Sequence, residues 1–555
     1  MAKKQKLELT WIGKDEDVKL EPRVLVEDTE LSYGDRDTQN LIIHGDNLLA
    51  LKALEQDYAG KVKCIYIDPP YNTGKAFEHY DDGLEHSIWL NLMKQRLEIL
   101  RNLLAKDGFI CCHIDDSEGQ YLKVLMDEVF NRHNYLSTMY IRVRYPDKTL
   151  TSDMDFHKEI EQIHVYRKEF GAKPNLNKEE ATFDKFIYYV DELTEGTPMK
   201  LGGKNVTAFQ KNEYKIAKKE SSEYGLKEIW ASGSILDGNS SGRFFRDHLT
   251  GRYEVDGLGV MYKVEGIGDD RYPYRYFTGP KREGATKGKY YQGVPMKQLE
   301  DKVSHNNKPI NNFYDLAGSF GNCRLEGGVA FRSGKKPELL LSIILKHFSN
   351  EGDLVLDSFL GSGTTAAVAH KMNRNYIGVE LQEQAKTHIV PRLTSIINAE
   401  DKTGITNDYM WKGGGGFKFY TLAPSLLTKD KFDNWVIEPT YDATLLASAM
   451  AKQEGFKYYP DETLFWKQGN STETDYIFTT TQFATTDLID KIHDEMQEDE
   501  TLLVCAKSFH KACENAYSNI TIKKIPQVLL GKCEFGKDDY SLNILEDETS
   551  EGEDE

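Results

Sequence analysis

From residue 41 onward, short apolar runs alternate with stretches of helical spacing. Leu41-Ile42-Ile43-His44 is such a run; it ends at Gly45-Asp46, and residues 47–54 continue as a helix. A second run over 61–67 ends at Asp68. Residues 88–104 set Leu92, Leu97, Leu100 and Leu104 at helical spacing, and Asp107-Gly108 closes that helix. The run over 109–114 ends at Asp115-Asp116; a helix is predicted over 118–130 and strands over 135–143 and 162–166. Runs this short, bounded by Gly, Pro and Asp, predict strands buried on both faces. Their alternation with helices predicts a parallel sheet with crossover helices.

The period dissolves between about 168 and 313 and returns at Lys336. A helix is predicted over 337–348, with Pro337 in its first turn. Strands follow over 354–356 and 376–379, the second ending in Glu380, with helices over 363–372 and 382–397. Gly413 to Gly416 predict a flexible turn into an edge strand over 417–420. After 426 a further α/β alternation has its own composition. The expected organisation is an N-terminal arm (1–40), two halves of one α/β domain (41–168 and 313–425), an insert between them (169–312), a C-terminal domain (426–545) and an acidic tail (546–555).

Two loops in this pattern carry chemistry. Asp68-Pro69-Pro70-Tyr71-Asn72-Thr73-Gly74 leaves a strand end, where open α/β sheets place their ligands. Two prolines stiffen the loop and remove two backbone donors. An acceptor, Asp68, then stands near a flat ring, Tyr71, which suits a planar amino-bearing ring such as a nucleobase. A strand-exit turn with a capping Asp would read the same way. Asp357-Ser358-Phe359-Leu360-Gly361-Ser362-Gly363-Thr364-Thr365 leaves another strand and opens a helix. Its glycines allow a tight turn and close approach of a ligand, and Glu380 ends the next strand, where an acid accepts ribose hydroxyls. A dinucleotide site is the rival, but Ala366 stands where its third glycine belongs, and no Gly-Lys-Ser/Thr makes a triphosphate loop. Asp46 reads equally as the N-cap of the helix at Asn47, and His44 and His113 read as core histidines.

Composition narrows the class. With 39% hydrophobic and 29% charged residues in 555, the chain reads as a soluble protein of several domains. No apolar run approaches the roughly 18–20 residues of a membrane span. The basic start, Met1-Ala2-Lys3-Lys4-Gln5-Lys6, is not followed by an apolar segment, so no secretory signal is expected. Seven cysteines form no Cys-x-x-Cys pair, so reduced buried thiols are expected, and no metal. The net charge of −19 weighs against nucleic acid, yet seven acids fall in the last ten residues, and local charge decides binding. Within the insert, Arg271, Arg275, Lys281, Arg282, Lys287 and Lys289 interleave with Tyr272, Tyr274, Tyr276, Phe277, Tyr290 and Tyr291. Such alternation suits phosphates and exposed bases; a solvated β-rich insert would look similar.

Together the two loops are specific. Phe359-Leu360-Gly361-Ser362-Gly363 resembles the S-adenosylmethionine-binding motif of amino-group DNA methyltransferases, and Asp68-Pro69-Pro70-Tyr71 resembles their catalytic motif. Catalytic motif first, long insert next and cofactor motif last resembles their β class. Residues 40–51, Asp107-Gly108-Phe109-Ile110 with Ile114-Asp115-Asp116, and the stretches 411–420 and 520–543 resemble the modification subunits of Type III restriction–modification systems. The resemblance implies a Rossmann-like S-adenosylmethionine-dependent methyltransferase sheet, α/β, mostly parallel and seven-stranded. It also implies an inserted target-recognition domain and a C-terminal α/β domain. It implies adenine-N6 methylation, with cytosine-N4 methylation, an orphan enzyme without a nuclease partner, and a binding-only subunit as alternatives. Asp68 and the Pro69 carbonyl would accept the target amine's hydrogens, with Pro70 in the same stiff loop, and Tyr71 would stack on a flipped base. Asp357, Gly361 and Gly363, with Phe359 and Thr364 in the same motif, would hold the cofactor's methionine end. Glu380 would take the ribose, Asp46 the cofactor's adenine amino group, and Lys336 would line the methionine pocket. The implied partners are double-stranded DNA, a second copy of the chain in a homodimer, and a separate restriction subunit with helicase and nuclease, all in a bacterial cytoplasm.

Overall fold

In the computed structural model, ten strands form one mixed sheet. They are β1 (Leu25–Gly34), β2 (Leu41–His44), β3 (Val62–Ile67), β4 (Leu104–Ile114), β5 (Tyr135–Arg142), β6 (Ile160–Arg167), β7 (Phe313–Asp315), β8 (Leu354–Asp357), β9 (Asn375–Glu380) and β10 (Gly416–Leu422). Their order is β1-β10-β2-β9-β8-β3-β4-β6-β5-β7. From β10 to β4 every neighbour is parallel, whereas β6 runs antiparallel to β4 and β5. The expected seven-stranded α/β sheet is present as β2, β9, β8, β3, β4, β6 and β5; β10 and β1 extend one edge and β7 the other. The structure describes residues 8–15, 19–71, 82–146, 156–180, 182–231, 240–285, 287–300, 305–331, 334–525, 527–529 and 532–536. Asn72, Thr73 and Gly74 of the first loop and the tail over 546–555 lie outside these.

Helices cover both faces. On one, α1 (Asn47–Tyr58), α2 (Asp82–Leu103) and α3 (Gly119–Phe130) pack Leu51, Leu97 and Leu125 against Ile43, Ile65, Ile67 and Ile110. On the other, α4 (Glu338–Phe348), α5 (Thr364–Lys371) and α6 (Val390–Ile397) pack Leu341, Ala367 and Leu393 against Ile42, Cys64, Tyr66 and Cys111. Successive β3 residues thus enter opposite cores, which is why the strand reads as an unbroken apolar run. Each large side chain fully buried there contributes roughly 1.5–3 kcal/mol.

Strands β3 and β8 are neighbours, in register at Val355↔Cys64 and Leu356↔Ile65. From β3 the chain goes on to α2 on one face; from β8 it goes on to α5 on the other. Crossovers leaving a sheet in opposite directions part the loops at the strand ends and open a crevice there. Asp68 and Asp357 stand at its two sides.

Three local expectations change. Residues 25–34, read as part of an extended arm, form β1, which pairs antiparallel with β10. Its residues are exposed or half-buried, so its side chains carry little pattern and its backbone pairing makes the strand. Strand β10 is therefore interior, not an edge. The helix expected over 382–397 is a wide turn, Ala385–Ile389, leading into α6; Pro391 has no N–H to donate within its first turn.

Residues 176–310 form a compact unit of their own, and 1–175 with 311–555 form the other. Within 176–310, six antiparallel strands pair in the order Lys227–Ala231, Gly288–Gln292, Tyr274–Thr278, Met261–Glu265, Lys204–Phe209, Thr197–Leu201. Phe277 and Tyr290 enter one core of this unit, Tyr276 and Tyr291 another. Four of the interleaved aromatics are therefore packing residues. After β10, parallel strands Asp475–Ala484, Thr501–Phe509 and Ile520–Lys524 anchor a five-stranded sheet flanked by helices Ala443–Glu454 and Thr486–Glu495. All seven cysteines are free and six are buried. Among the described residues no helix is long and apolar enough to cross a membrane.

Candidate active site

Asp68 follows the last residue of β3, and the loop after it is pinned. Trp89, fully buried on α2, donates its indole N–H to the Pro70 carbonyl at 2.8 Å. Tyr71 turns its hydroxyl back onto Asp68 Oδ1 at 2.8 Å and onto Glu161 Oε2 at 3.0 Å. Lys336, in the segment leading into α4, places Nζ 3.0 Å from Asp68 Oδ2 and 3.6 Å from Glu161 Oε2. The same ammonium lies 5.0 Å from the centre of the Tyr71 ring. Behind Glu161, His113 Nε2 of β4 is 2.8 Å from Oε2, and His113 Nδ1 is 2.7 Å from the Tyr66 hydroxyl.

The electrostatics follow from this geometry. Burial alone would raise the Glu161 carboxyl, but Lys336, His113 and the Tyr71 hydroxyl pull it down to about 2. Burial would likewise lower Lys336, and Asp68 and Glu161 outweigh it, so its ammonium is held more firmly than usual. Burial, then Asp68 and Glu161, drives the Tyr71 phenol well above its ordinary value. Tyr71 is therefore a proton-bearing donor at any working pH, set between two acceptors.

Across the crevice, Asp357 ends β8 and is 3% exposed. Its Oδ1 accepts from the Phe359 N–H at 2.9 Å and its Oδ2 from the Thr365 hydroxyl at 2.5 Å. Burial pushes its carboxyl up to about 7, with Asp68 and Glu380 adding to the rise and the two donors opposing it. Glu380 Oε2 accepts from the Gly361 N–H at 2.7 Å, and Oε1 from the Gln382 N–H at 3.1 Å. Gly363 is left-handed at φ +80° and forms the N-cap of α5. A Cβ on Gly361 would meet no atom within 4 Å, so the space over the loop is open to a ligand.

The loop rests on a buried charge cluster. Arg392 donates to the Ser362 carbonyl and the Thr364 hydroxyl, both at 3.0 Å, and to Glu338 at 2.8 Å. Lys371 joins Glu338 at 2.8 Å and Asp401 at 2.5 Å. On the other side, Asp46 Oδ1 caps α1 through the Leu49 N–H at 3.0 Å, and Asn47 donates to the Ser358 carbonyl at 2.7 Å. Asp46 Oδ2 and Ser358 Oγ are buried without a hydrogen-bond partner among the described residues; Arg96 lies 3.5 Å from the former.

The structure thus gathers Asp68, Pro69, Pro70 and Tyr71 at one strand end. Asp357, Phe359, Gly361, Gly363, Thr364 and Glu380 gather at the next loop, with Asp46 joined to it through Asn47. Lys336, expected at the methionine pocket, pairs with Asp68. Sequence reasoning missed Glu161; His113 is the buried histidine expected, and its pairing with Glu161 was not foreseen. The available signal was a charged and an imidazole side chain in or beside runs destined for burial, where such residues need partners.

The basic set of the insert divides. Arg275 is buried and bonded to Asp270 and Ser241; its guanidinium ties the insert's own core and does not face solvent, which removes it from a phosphate-binding set. Lys289 pairs with Glu228 at 2.6 Å and Arg271 with Glu223 at 3.2 Å. Lys281, Arg282 and Lys287 are exposed.

The sequence profile of the DNA methylase family matches residues 62–391, from the first residue of β3 into α6. The chain belongs to this family. The probable type III restriction-modification enzyme HindVI Mod subunit of Haemophilus influenzae is 35% identical to this chain over 409 residues, 70% of the chain and 54% of that relative. The type III restriction-modification enzyme StyLTI Mod subunit of Salmonella typhimurium is 26% identical over 459 residues, 72% of the chain and 63% of the relative. The chain therefore spans between half and two thirds of the length of these relatives. Among solved structures, the PvuII DNA methyltransferase (cytosine-N4-specific) overlays at a TM-score of 0.33 with 12% identity, covering 64% of this chain and 86% of that one. That likeness is too slight to add to the assignment. The family match encloses both loops, the insert between them, and the Glu161–Lys336 cluster.

Proposed function

We propose that the chain is a site-specific DNA adenine-N6 methyltransferase using S-adenosylmethionine, and that it serves as the modification and recognition subunit of a Type III-like restriction–modification system. The observation that carries this is the adjacency of β3 and β8, which sets an Asp-Pro-Pro-Tyr loop beside a glycine loop at one crevice. The relatives named as Mod subunits support the second half. Double-stranded DNA is the substrate, the insert over 169–312 reads the target, and a restriction subunit carrying helicase and nuclease is a separate partner. The chain pairs with a second copy and works in the bacterial cytoplasm.

The residues at the glycine loop fit the cofactor. The space over Gly361 is open, Asp357, Glu380 and Asp46 supply acidic groups suited to its ammonium, sulfonium and hydroxyls, and two buried oxygens stand without hydrogen-bond partners beside the loop. S-adenosylmethionine supplies an electrophilic methyl on a cationic sulfur, whose bonding pair stays with the sulfur. Asp357, Gly361 and Gly363, with Phe359 and Thr364, would hold its methionine end, and Glu380 would accept from its ribose hydroxyls. On the other side, Asp68 and the Pro69 carbonyl accept the target amine's hydrogens. Both acceptors favour positive charge growing on that nitrogen, a preorganised electrostatic effect. Tyr71 stacks on the flipped base. The nitrogen lone pair forms the new C–N bond, and the surplus amine proton leaves to water. Positioning supplies much of the rate.

The test is to incubate the purified chain with S-adenosylmethionine and DNA lacking adenine methylation, then sequence for modified bases. N6-methyladenine in one short asymmetric motif is expected. Asp68→Ala is expected to abolish it with cofactor affinity retained. Methylcytosine, or an equal loss of cofactor affinity in Asp68→Ala, overturns the base or the role assigned.

A further inference from the structure

Glu161 belongs to neither loop, yet it reaches both Tyr71 and Lys336, the two side chains that hold Asp68. It comes from β6, on the far side of β4 from β3, and its carboxylate reaches the Tyr71 hydroxyl at 3.0 Å, Lys336 at 3.6 Å and His113 at 2.8 Å. His113 is itself fully buried and anchored at its other nitrogen by Tyr66. We propose that Glu161, held by His113, is a positioning residue that takes over the Tyr71 hydroxyl hydrogen when a target amine docks on Asp68. This rests on the methyltransferase reading above.

The reasoning is one of counting hydrogens and acceptors. Tyr71 has a single hydroxyl hydrogen, and two carboxylate oxygens stand within reach of it, at 2.8 and 3.0 Å. An incoming amine brings its own N–H to Asp68, and a tyrosine hydrogen turned towards Glu161 leaves both lone pairs of Asp68 Oδ1 free for it. With Glu161 in place, the hydrogen turns to Oε2 by a small hydroxyl rotation and stays satisfied. Without it, the tyrosine hydrogen stays on Asp68 and the amine meets an acceptor that is already engaged. The donors of this arrangement come from β4, from the pinned loop after β3 and from the segment entering α4, so the geometry exists before substrate arrives.

The experiment compares Glu161→Gln, Tyr71→Phe and the double variant in single-turnover methylation of DNA carrying the site found for the parent chain, with cofactor and DNA affinities measured separately. Expected is a rate loss of roughly ten- to a hundredfold for Glu161→Gln, both affinities within about twofold. The double variant is expected to be no slower than Tyr71→Phe, because Glu161 acts through the hydroxyl that Phe lacks. Glu161→Asp, which keeps the charge and withdraws the carboxylate, covers the case in which Gln does not fold, and is expected to show the same rate loss. Rate losses that multiply in the double variant, an unchanged rate in Glu161→Gln, or a cofactor affinity falling as far as the rate each overturn the proposal. A parent chain that methylates nothing while binding cofactor sinks the enzymatic reading itself, and the proposal with it.

Discussion

Removing the Glu338 carboxylate is expected to loosen the glycine loop without touching it. Glu338 is fully buried and holds Arg392 at 2.8 Å, Lys371 at 2.8 Å and the Ile405 N–H at 3.1 Å. Two cations and two acids, with Asp401 the second acid, balance inside the protein. Each 2.8 Å pair is worth about 6 kcal/mol of gross attraction at an effective dielectric near 20, and desolvation cancels much of it. Taking Glu338 away leaves a net positive charge in a dry core, for which the expected net loss is about 3–5 kcal/mol. Glu338→Gln keeps the shape and is the variant to make. The assay is hydrogen exchange in increasing urea, read separately at 390–397 and at the C-terminal strands, since a chain of several units does not unfold as one. Protection at 390–397 should fall and that of Thr501–Phe509 should not. Pairing it with Lys371→Met restores neutrality, so the double variant should be less destabilised than the sum of the two by about 1–3 kcal/mol. Simple additivity, or a loss for Glu338→Gln below about 1 kcal/mol, would refute the claim that the four charges act as one unit.

Two further outcomes separate structural from functional charge. Asp357 is raised to about 7 by burial, so it stabilises the fold fully below its ordinary range and loses that contribution as pH rises through about 7. Asp357→Asn, which mimics the protonated acid, should therefore be more stable than the parent at pH 8 by up to about 4 kcal/mol and equal to it near pH 4 in urea titrations; a gap that does not change with pH would contradict this. In the insert, Lys281→Ala and Arg282→Ala should each lower the slope of log affinity for DNA against log salt by about one. Arg275→Met should instead lower the melting temperature, and a folded Arg275→Met with a reduced slope would return Arg275 to the phosphate-binding set.

The parallel strands were legible because both of their faces are buried: Cys64, Ile65, Tyr66 and Ile67 enter two cores in turn and leave no polar position to blur the run. The same logic explains what was not legible. Strand β1 buries neither face fully, so only its backbone pairing with β10 defines it. The alternation of cations and aromatics over 271–291 looked like a nucleic-acid surface because sequence cannot tell a packed sheet face from a stacking face. Tyr276 and Tyr291 stand opposite each other across two strands and are buried there. Spacing also says nothing about long-range pairing between charges. Lys336 was set with the methionine pocket because its segment resembles the one that leads into the family's cofactor strand. Parallel pairing of β8 with β3 also brings the lysine to Asp68, and β6, which pairs with β4, brings in Glu161. Strand ends can be read from local composition, but which strand ends share a crevice depends on strand order. Here that order joins segments that the whole insert separates along the chain, so a catalytic loop placed first and a cofactor loop placed last still meet. Permuting their order along the chain leaves the crevice unaltered as long as β8 and β3 remain neighbours and their crossovers leave on opposite faces.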